Sequence, residues 1–437
     1  MVQDSGKALL GSTPGDVTRY LCVAAHLDPA FANQVVEELL GDEFGAVATS
    51  PGVDLIPVAR HCLTARHLRY ERDRRLTWIY YALLLAAPLW LLLCAPALGL
   101  LGAAGRDGAR YRATRGQDRA DTTAALWWVG GTALVLLVAA TGLAVGLTAL
   151  PLPGPLQWVC GAYLDGIPAL LAVVAALVSA YRTVLRHELA TDARLRSTLR
   201  RPVFSPGTVP TPAPTGDWIE DRLEAITEAQ QGNVTVYSAY LPFAGFSAPA
   251  STWSLSFPLL PPSPQPGQQP GTVVEFDVWE VLTHLRERLA ALAVDRPAEP
   301  GVSLAGLLLE DRVFVDGAAL KGDDRFLDDT RLSPVARLEP DEIRHIALHP
   351  EGAVRHYLAA HLPLWGDDVV PSMFLHLSTT GHSLHIDGGT HALGPVDRRY
   401  HLVDSLPAHN TDERLRGLQL SALQVTGRTL FGAAAAA

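Results

Sequence analysis

Charge is what this 437-residue chain has least of: 18% of its residues are Asp, Glu, Lys or Arg, against about a quarter in an ordinary soluble domain. A chain this poor in charge and 48% apolar is not a disordered polyelectrolyte. Lysine is nearly missing, since Lys7 and Lys321 stand alone against 33 arginines. With a net charge of −10, that bias reads as a high-GC bacterial composition and not as a nucleic-acid footprint, so no nucleic-acid partner is expected. Cysteine is scarce too. Cys22, Cys62, Cys94 and Cys160 form no CxxC, which indicates neither a zinc site nor a disulfide framework. Walker A, GxGxxG after a strand, GxSxG and HExxH are all missing, so no catalytic motif and no cofactor are expected. Asp4, Lys7, Asp16 and Arg19 break up the first 20 residues and rule out a signal peptide there.

What is abundant is uninterrupted hydrophobicity. Blocks 76–104 and 122–150 carry no charge, and block 156–181 carries only Asp165. About 20 apolar residues cross a bilayer as a helix, so the blocks read as a transmembrane region over 76–181. Arginines flank them. Arg69, Arg72, Arg74 and Arg75 lie before the first block, with Arg182 and Arg186 after the third. Positive flanks stay inside and would meet anionic headgroups of the bilayer. Because block 76–104 has basic flanks on both sides, with Pro88 and Pro96 within it, it is either a helical hairpin or a single span; the other two blocks form an out-and-back pair. Asp165 is either an intramembrane ion-handling carboxylate or the cap of a helix beginning at Gly166.

The remainder divides by composition. Residues 1–75 read as a helical region ending in the basic flank, with Asp28-Pro29 starting a helix because Asp caps and Pro suits the first helical position. Residues 182–216 are a basic flank and a Pro-rich linker. Residues 217–425 alternate helical and strand patterns: helices over Asp217–Gln230, Val278–Val294 and Asp341–His349, and strands at Val234, at Trp253 and over Val273–Phe276, Arg312–Val315, Arg355–Leu364, Val369–Leu377 and Ser383–Asp387, the last two joined at Thr379-Thr380-Gly381. This is an α+β domain on a largely antiparallel sheet. Residues 426–437 read as a disordered tail.

The stretch Gly232-Asn-Val-Thr-Val-Tyr-Ser238, followed by Pro242-Phe243 and Gly245, resembles a group of actinobacterial multi-pass membrane proteins with no assigned activity. The resemblance implies lineage and membrane localisation, and it carries over no functional residue.

Few residues suggest chemistry. Ten of the fifteen histidines lie between His345 and His409. A metal site would need several of them gathered by the fold, and the candidates are His376, His385 and Asp387. Asp323, Asp324, Asp328 and Asp329 lack calcium-loop spacing, and neighbouring Asp367 and Asp368 diverge on a turn. The expected architecture is an α-helical membrane anchor, with the main α+β domain in the cytoplasm and the chain in the inner membrane. The leading functional expectation is a tethered binding or regulatory module for an unidentified protein partner. The alternatives are a small homo-oligomeric transporter or channel using Asp165, and a membrane-anchored metal-dependent enzyme.

Overall fold

The computed structural model describes residues 16–41, 49–87, 167–213, 216–237, 245–259, 275–295, 306–319, 334–380, 382–406 and 411–436, with isolated residues between them. The chain divides into two compact units.

The first unit takes residues 1–63 and 205–397. Helix α1 is Asp16–Leu27 and α2 is Pro29–Val35, continued by a π-helical turn, Val36–Gly41. Asp28 caps α2 as the sequence suggests, accepting from the N–H groups of Ala30 and Phe31 at 3.0 and 3.3 Å. Helix α3, Leu55–Ala86, starts here. Helix α5, Asp217–Gln230, ends at a glutamine that joins two segments. The Gln230 side chain accepts from Leu55 N–H at 3.0 Å and donates to Asp54 Oδ1 at 3.1 Å.

Six strands form one mixed sheet in the order β1-β3-β4-β5-β6-β2. They are β1 Val234–Tyr237, β2 Pro249–Pro258, β3 Leu308–Asp316, β4 Val354–His361, β5 Val370–Thr380 and β6 Ser383–Leu393. Only β1 and β3 run parallel; the other neighbours are antiparallel. Residues alternate between the two faces, so the register sorts them. One face carries Val234, Val313, Val315, Val354, Leu358, Leu375 and Leu377, packed against helices α6 (Val278–Asp295) and α7 (Pro340–Leu348). Each helix begins with a capping box. Asp277 and Glu280 bond each other's backbone N–H at the head of α6, and the Glu342 side chain accepts from Glu339 N–H at that of α7. The opposite face is aromatic and polar, with Phe314, Phe374, Tyr237 and Tyr357 covered by Phe243 and Phe246.

The GNVTVYS stretch has a structural role. A Cβ on Gly232 would lie 2.0 Å from Ala336 O, so only glycine passes there. The Asn233 amide clamps Leu338, donating to its carbonyl at 2.9 Å and accepting from its N–H at 2.8 Å. Val234 and Val236 face the apolar core.

The second unit takes residues 64–204 and 398–437. It contains the rest of α3, α4 (Ile167–Thr198), α8 (Leu402–Ser405) and α9 (Thr411–Ala436). Leu76 and Tyr80 of α3, Ala180 and Val184 of α4 and Ala422 of α9 form its core. Polar groups are paired within it. Ser421 Oγ donates to the buried Glu188 carboxylate at 3.3 Å, Tyr80 and Thr429 hydroxyls meet at 3.0 Å, and Asp192 pairs with Arg196 and Arg414 at 3.1 and 3.3 Å. Trp78, Leu85 and Leu171 stay exposed.

The membrane anchor expected from the apolar blocks is corrected here. Among the described residues no helix is long and apolar enough to cross a membrane. That finding overturns the transmembrane fold class and the inner-membrane, multi-pass localisation with a cytoplasmic main domain. In the described parts of the blocks, the apolar residues run directly into charged turns. Of block 76–104, the described part runs from Leu76 to Ala87 and ends a helix whose earlier turns carry Arg66, Arg69, Glu71, Arg72, Asp73, Arg74 and Arg75. The apolar start of α4 passes directly into Arg182, Arg186, Glu188 and Asp192. The rest of the three blocks, including Asp165 apart from a few isolated positions, lies outside the described residues.

Candidate functional site

Strand β3 contains three consecutive charged residues, Glu310-Asp311-Arg312, inside an apolar run. A strand points neighbouring side chains to opposite faces, so it separates them. Asp311 faces the helices, where Arg286 of α6 reaches both carboxylate oxygens and His356 Nε2 lies 2.9 Å away. Glu310 and Arg312 share the aromatic face and pair with each other.

Arg312 is fully buried. Its guanidinium also donates to Thr235 Oγ1 at 3.1 Å and Gly232 O at 3.3 Å, and it lies over the Phe246 ring. His361 of β4 extends the network: its Nε2 is 3.0 Å from Glu310 Oε1, its Nδ1 is 2.7 Å from Ser372 Oγ on β5, and its ring stacks on Phe246. Burial works against the Glu310 carboxylate, but Arg312 and His361 outweigh it and hold its pKa at about 2. An ionised Glu310 only accepts, so His361 Nε2 donates to it, while Nδ1 and Ser372 Oγ share the second hydrogen bond.

This carboxylate–imidazole–hydroxyl order is that of a nucleophilic relay. Ser372 is nevertheless only 3% exposed, in mid-strand on the face covered by Phe243 and Phe246. The network joins four strand segments and satisfies its own polar atoms, which is how a buried charge is made tolerable. Its chemistry is structural. Sequence reasoning missed all four of Glu310, Arg312, His361 and Ser372. The available signal was two opposite charges two residues apart within an apolar run.

The residues singled out from the sequence are placed as follows. His376 on β5 lies directly across from Asp387 on β6, and His385 lies across from Ser378. His376 Nδ1 donates to His356 O at 2.8 Å, and burial is the leading cause of its lowered pKa. Among the described residues no group of three or more His, Cys, Asp or Glu could hold a metal ion. Arg74, Arg75, Arg182 and Arg186 are exposed; Arg69 and Arg72 are half-buried, with Arg72 Nε donating to Asp73 at 2.7 Å. Asp165 lies outside the described residues. Asp367 and Asp368 do diverge: Asp367 lies against Gly52, while Asp368 Oδ1 accepts from Val396 N–H at 2.9 Å. Asp323 is bonded to Arg325.

The most accessible feature of the sheet is its last strand. All ten residues of β2 are exposed, and among the described residues only β6 pairs with it. Trp253, Leu255 and Phe257 share one face, at 37%, 47% and 48% exposure. The Trp253 indole packs against Gly388, where a Cβ would come within 2.2 Å of Cζ2. No residue of β2 is charged. Edge strands normally carry a charge, a bulge or a cover that prevents pairing with another chain. β2 has prolines at its two ends, Pro249 and Pro258, and a register shift near Pro249, and among the described residues no other strand pairs with it.

No curated protein and no solved structure matches the chain significantly. One family model does match. It begins inside β2, leaves out β1 and the GNVTVYS stretch, and covers rather less than half of the chain: residues 252–437 are similar to the AbeC-like domain.

Proposed function

We propose that this protein is a binding module that recognises an extended polypeptide segment through the free edge of β2, and that it is not a catalyst. The observation that supports this reading is the ten-residue, uncharged and uniformly exposed edge strand with its Trp253-Leu255-Phe257 stripe. In β-augmentation the main chain supplies affinity and alternate side chains supply specificity. β2 offers both, with hydrogen-bonding groups along the edge and an apolar row on one side. The Glu310–Arg312–His361–Ser372 cluster, by contrast, is internally paired and buried.

The test is a display library of extended peptides panned on the full-length chain. Selected peptides should be apolar at alternate positions, and their binding should be lost in Ser254→Pro. Peptides that bind Ser254→Pro as well as the parent would overturn the reading.

A further inference from the structure

We infer that the occupant of the β2 edge is a second copy of this chain, paired antiparallel through β2 in a register centred on Leu255. The inference rests on the reading of β2 as an interaction edge and adds the identity of the partner.

The direction of the backbone groups follows from the ladder. Leu259 N–H donates to His382 O at 2.6 Å, and Pro258 lies opposite Ser383. In an antiparallel pair the bonded positions alternate. Leu255 and the other odd-numbered residues of β2 therefore turn their N–H and C=O towards β6. Thr252, Ser254 and Ser256 turn theirs outward, and these form the free edge.

A two-fold axis at Leu255 makes this edge self-complementary. Ser254 exchanges both backbone bonds with the partner's Ser256. Thr252 N–H meets the carbonyl of the partner's Pro258, whose missing N–H is thereby harmless. On the side-chain level, Leu255 faces the partner's Leu255 and Trp253 faces the partner's Phe257. Every apolar residue of the stripe meets an apolar one, and aromatic cross-strand pairs are favourable. A symmetric contact of this kind places the same patch on both subunits, which requires a patch that does not repel itself. The absence of charge along the strand meets that requirement. It also leaves nothing on the strand for a charged partner to recognise. The net charge of −10 opposes association at long range, so salt should tighten the dimer by screening it.

The experiment is sedimentation of the purified full-length chain across a concentration series, with two variants. Ser254→Pro removes an outward N–H and spares the β6 ladder. Leu255→Cys places thiols across a non-hydrogen-bonded pair, where Cα atoms approach to about 4.5 Å, within reach of a disulfide. Copper-phenanthroline oxidises the two thiols to the disulfide and passes the electrons to oxygen. Expected are a dimer for the parent, a monomer with an unchanged circular dichroism spectrum for Ser254→Pro, and a covalent dimer for Leu255→Cys but not for Trp253→Cys or the parent.

A parent that is monomeric throughout the series, or a dimer that survives Ser254→Pro, overturns the inference. So does a covalent dimer of Trp253→Cys in place of Leu255→Cys. A monomer that still captures extended peptides through β2 would sink the self-pairing alone, whereas loss of both would sink the edge reading with it.

Discussion

Glu310 and Arg312 stand two residues apart on β3, on the same face of the sheet, and neutralise each other inside the protein. The pair explains how a strand with three successive charges occupies the middle of a sheet.

Removing one partner of a buried pair leaves the other uncompensated, which costs about 3–5 kcal/mol. Arg312→Ala should therefore destabilise the protein by that amount in chemical denaturation. Substituting Arg312 and Glu310 together by Met and Leu should cost much less. Equal losses for the single and double variants would refute the coupling.

The same pair sets an acid limit. Folded Glu310 has a pKa of about 2 against an ordinary 4.5. Its contribution is complete above pH 4.5 and disappears as pH falls towards 2, amounting to at most about 3 kcal/mol. Glu310→Gln should flatten the stability profile over that interval, as thermal melts at stepped pH would reveal.

A second window lies at milder pH. His26 Nε2 and His61 Nδ1 meet at 3.0 Å in the interior, and burial lowers the His61 pKa from 6.5 to about 4. Between those values the unfolded chain takes up a proton that folded His61 refuses. Stability is therefore full above pH 6.5 and falls as pH drops to 4, by up to about 3 kcal/mol. A His61→Gln variant should lose this slope; an unchanged slope would mean another group produces it.

Ser372 Oγ meets His361 Nδ1 at 2.7 Å beneath Phe246, and this geometry predicts chemical silence. A fluorophosphonate probe should leave Ser372 unlabelled in the folded chain. Ser372→Ala should destabilise by about 1–2 kcal/mol. Stoichiometric labelling would convert the network into a nucleophilic site.

Gly232→Ala would drive a methyl into the carbonyl of Ala336. Backbone on both sides cannot yield as a side chain does, so a loss of at least about 2 kcal/mol is expected in thermal denaturation. A neutral effect would show that β1 is free to shift.

Local patterns were readable wherever chemistry is local. The cap at Asp28, the helix from Asp217 to Gln230 and the hairpin that brings Thr380 opposite Ser383 follow from neighbours in sequence. The pattern alone bounds β3 too tightly, at Arg312–Val315 instead of Leu308–Asp316, because Glu310 and Asp311 look like loop residues until their partners are known. Those partners, Arg286, His356 and His361, lie 25 to 51 residues away. The pattern likewise ends β6 at Asp387, since Gly388-Gly389 reads as a break; the strand runs on to Leu393, and Gly388 is where Trp253 rests. The exposed edge was invisible because strand order decides which strand lies outermost. The apolar blocks are a different case: most of their length lies outside the described residues, and the described pieces, 76–87 and 167–181, are shorter than a crossing and run directly into the charged turns of α3 and α4.

The Asn233 clamp on Leu338 closes a loop of 105 residues, and among the described residues β1 joins the sheet only through β3. During synthesis, then, the segment bearing β1 leaves the ribosome long before its seat exists, and it has to wait until translation has passed Leu338.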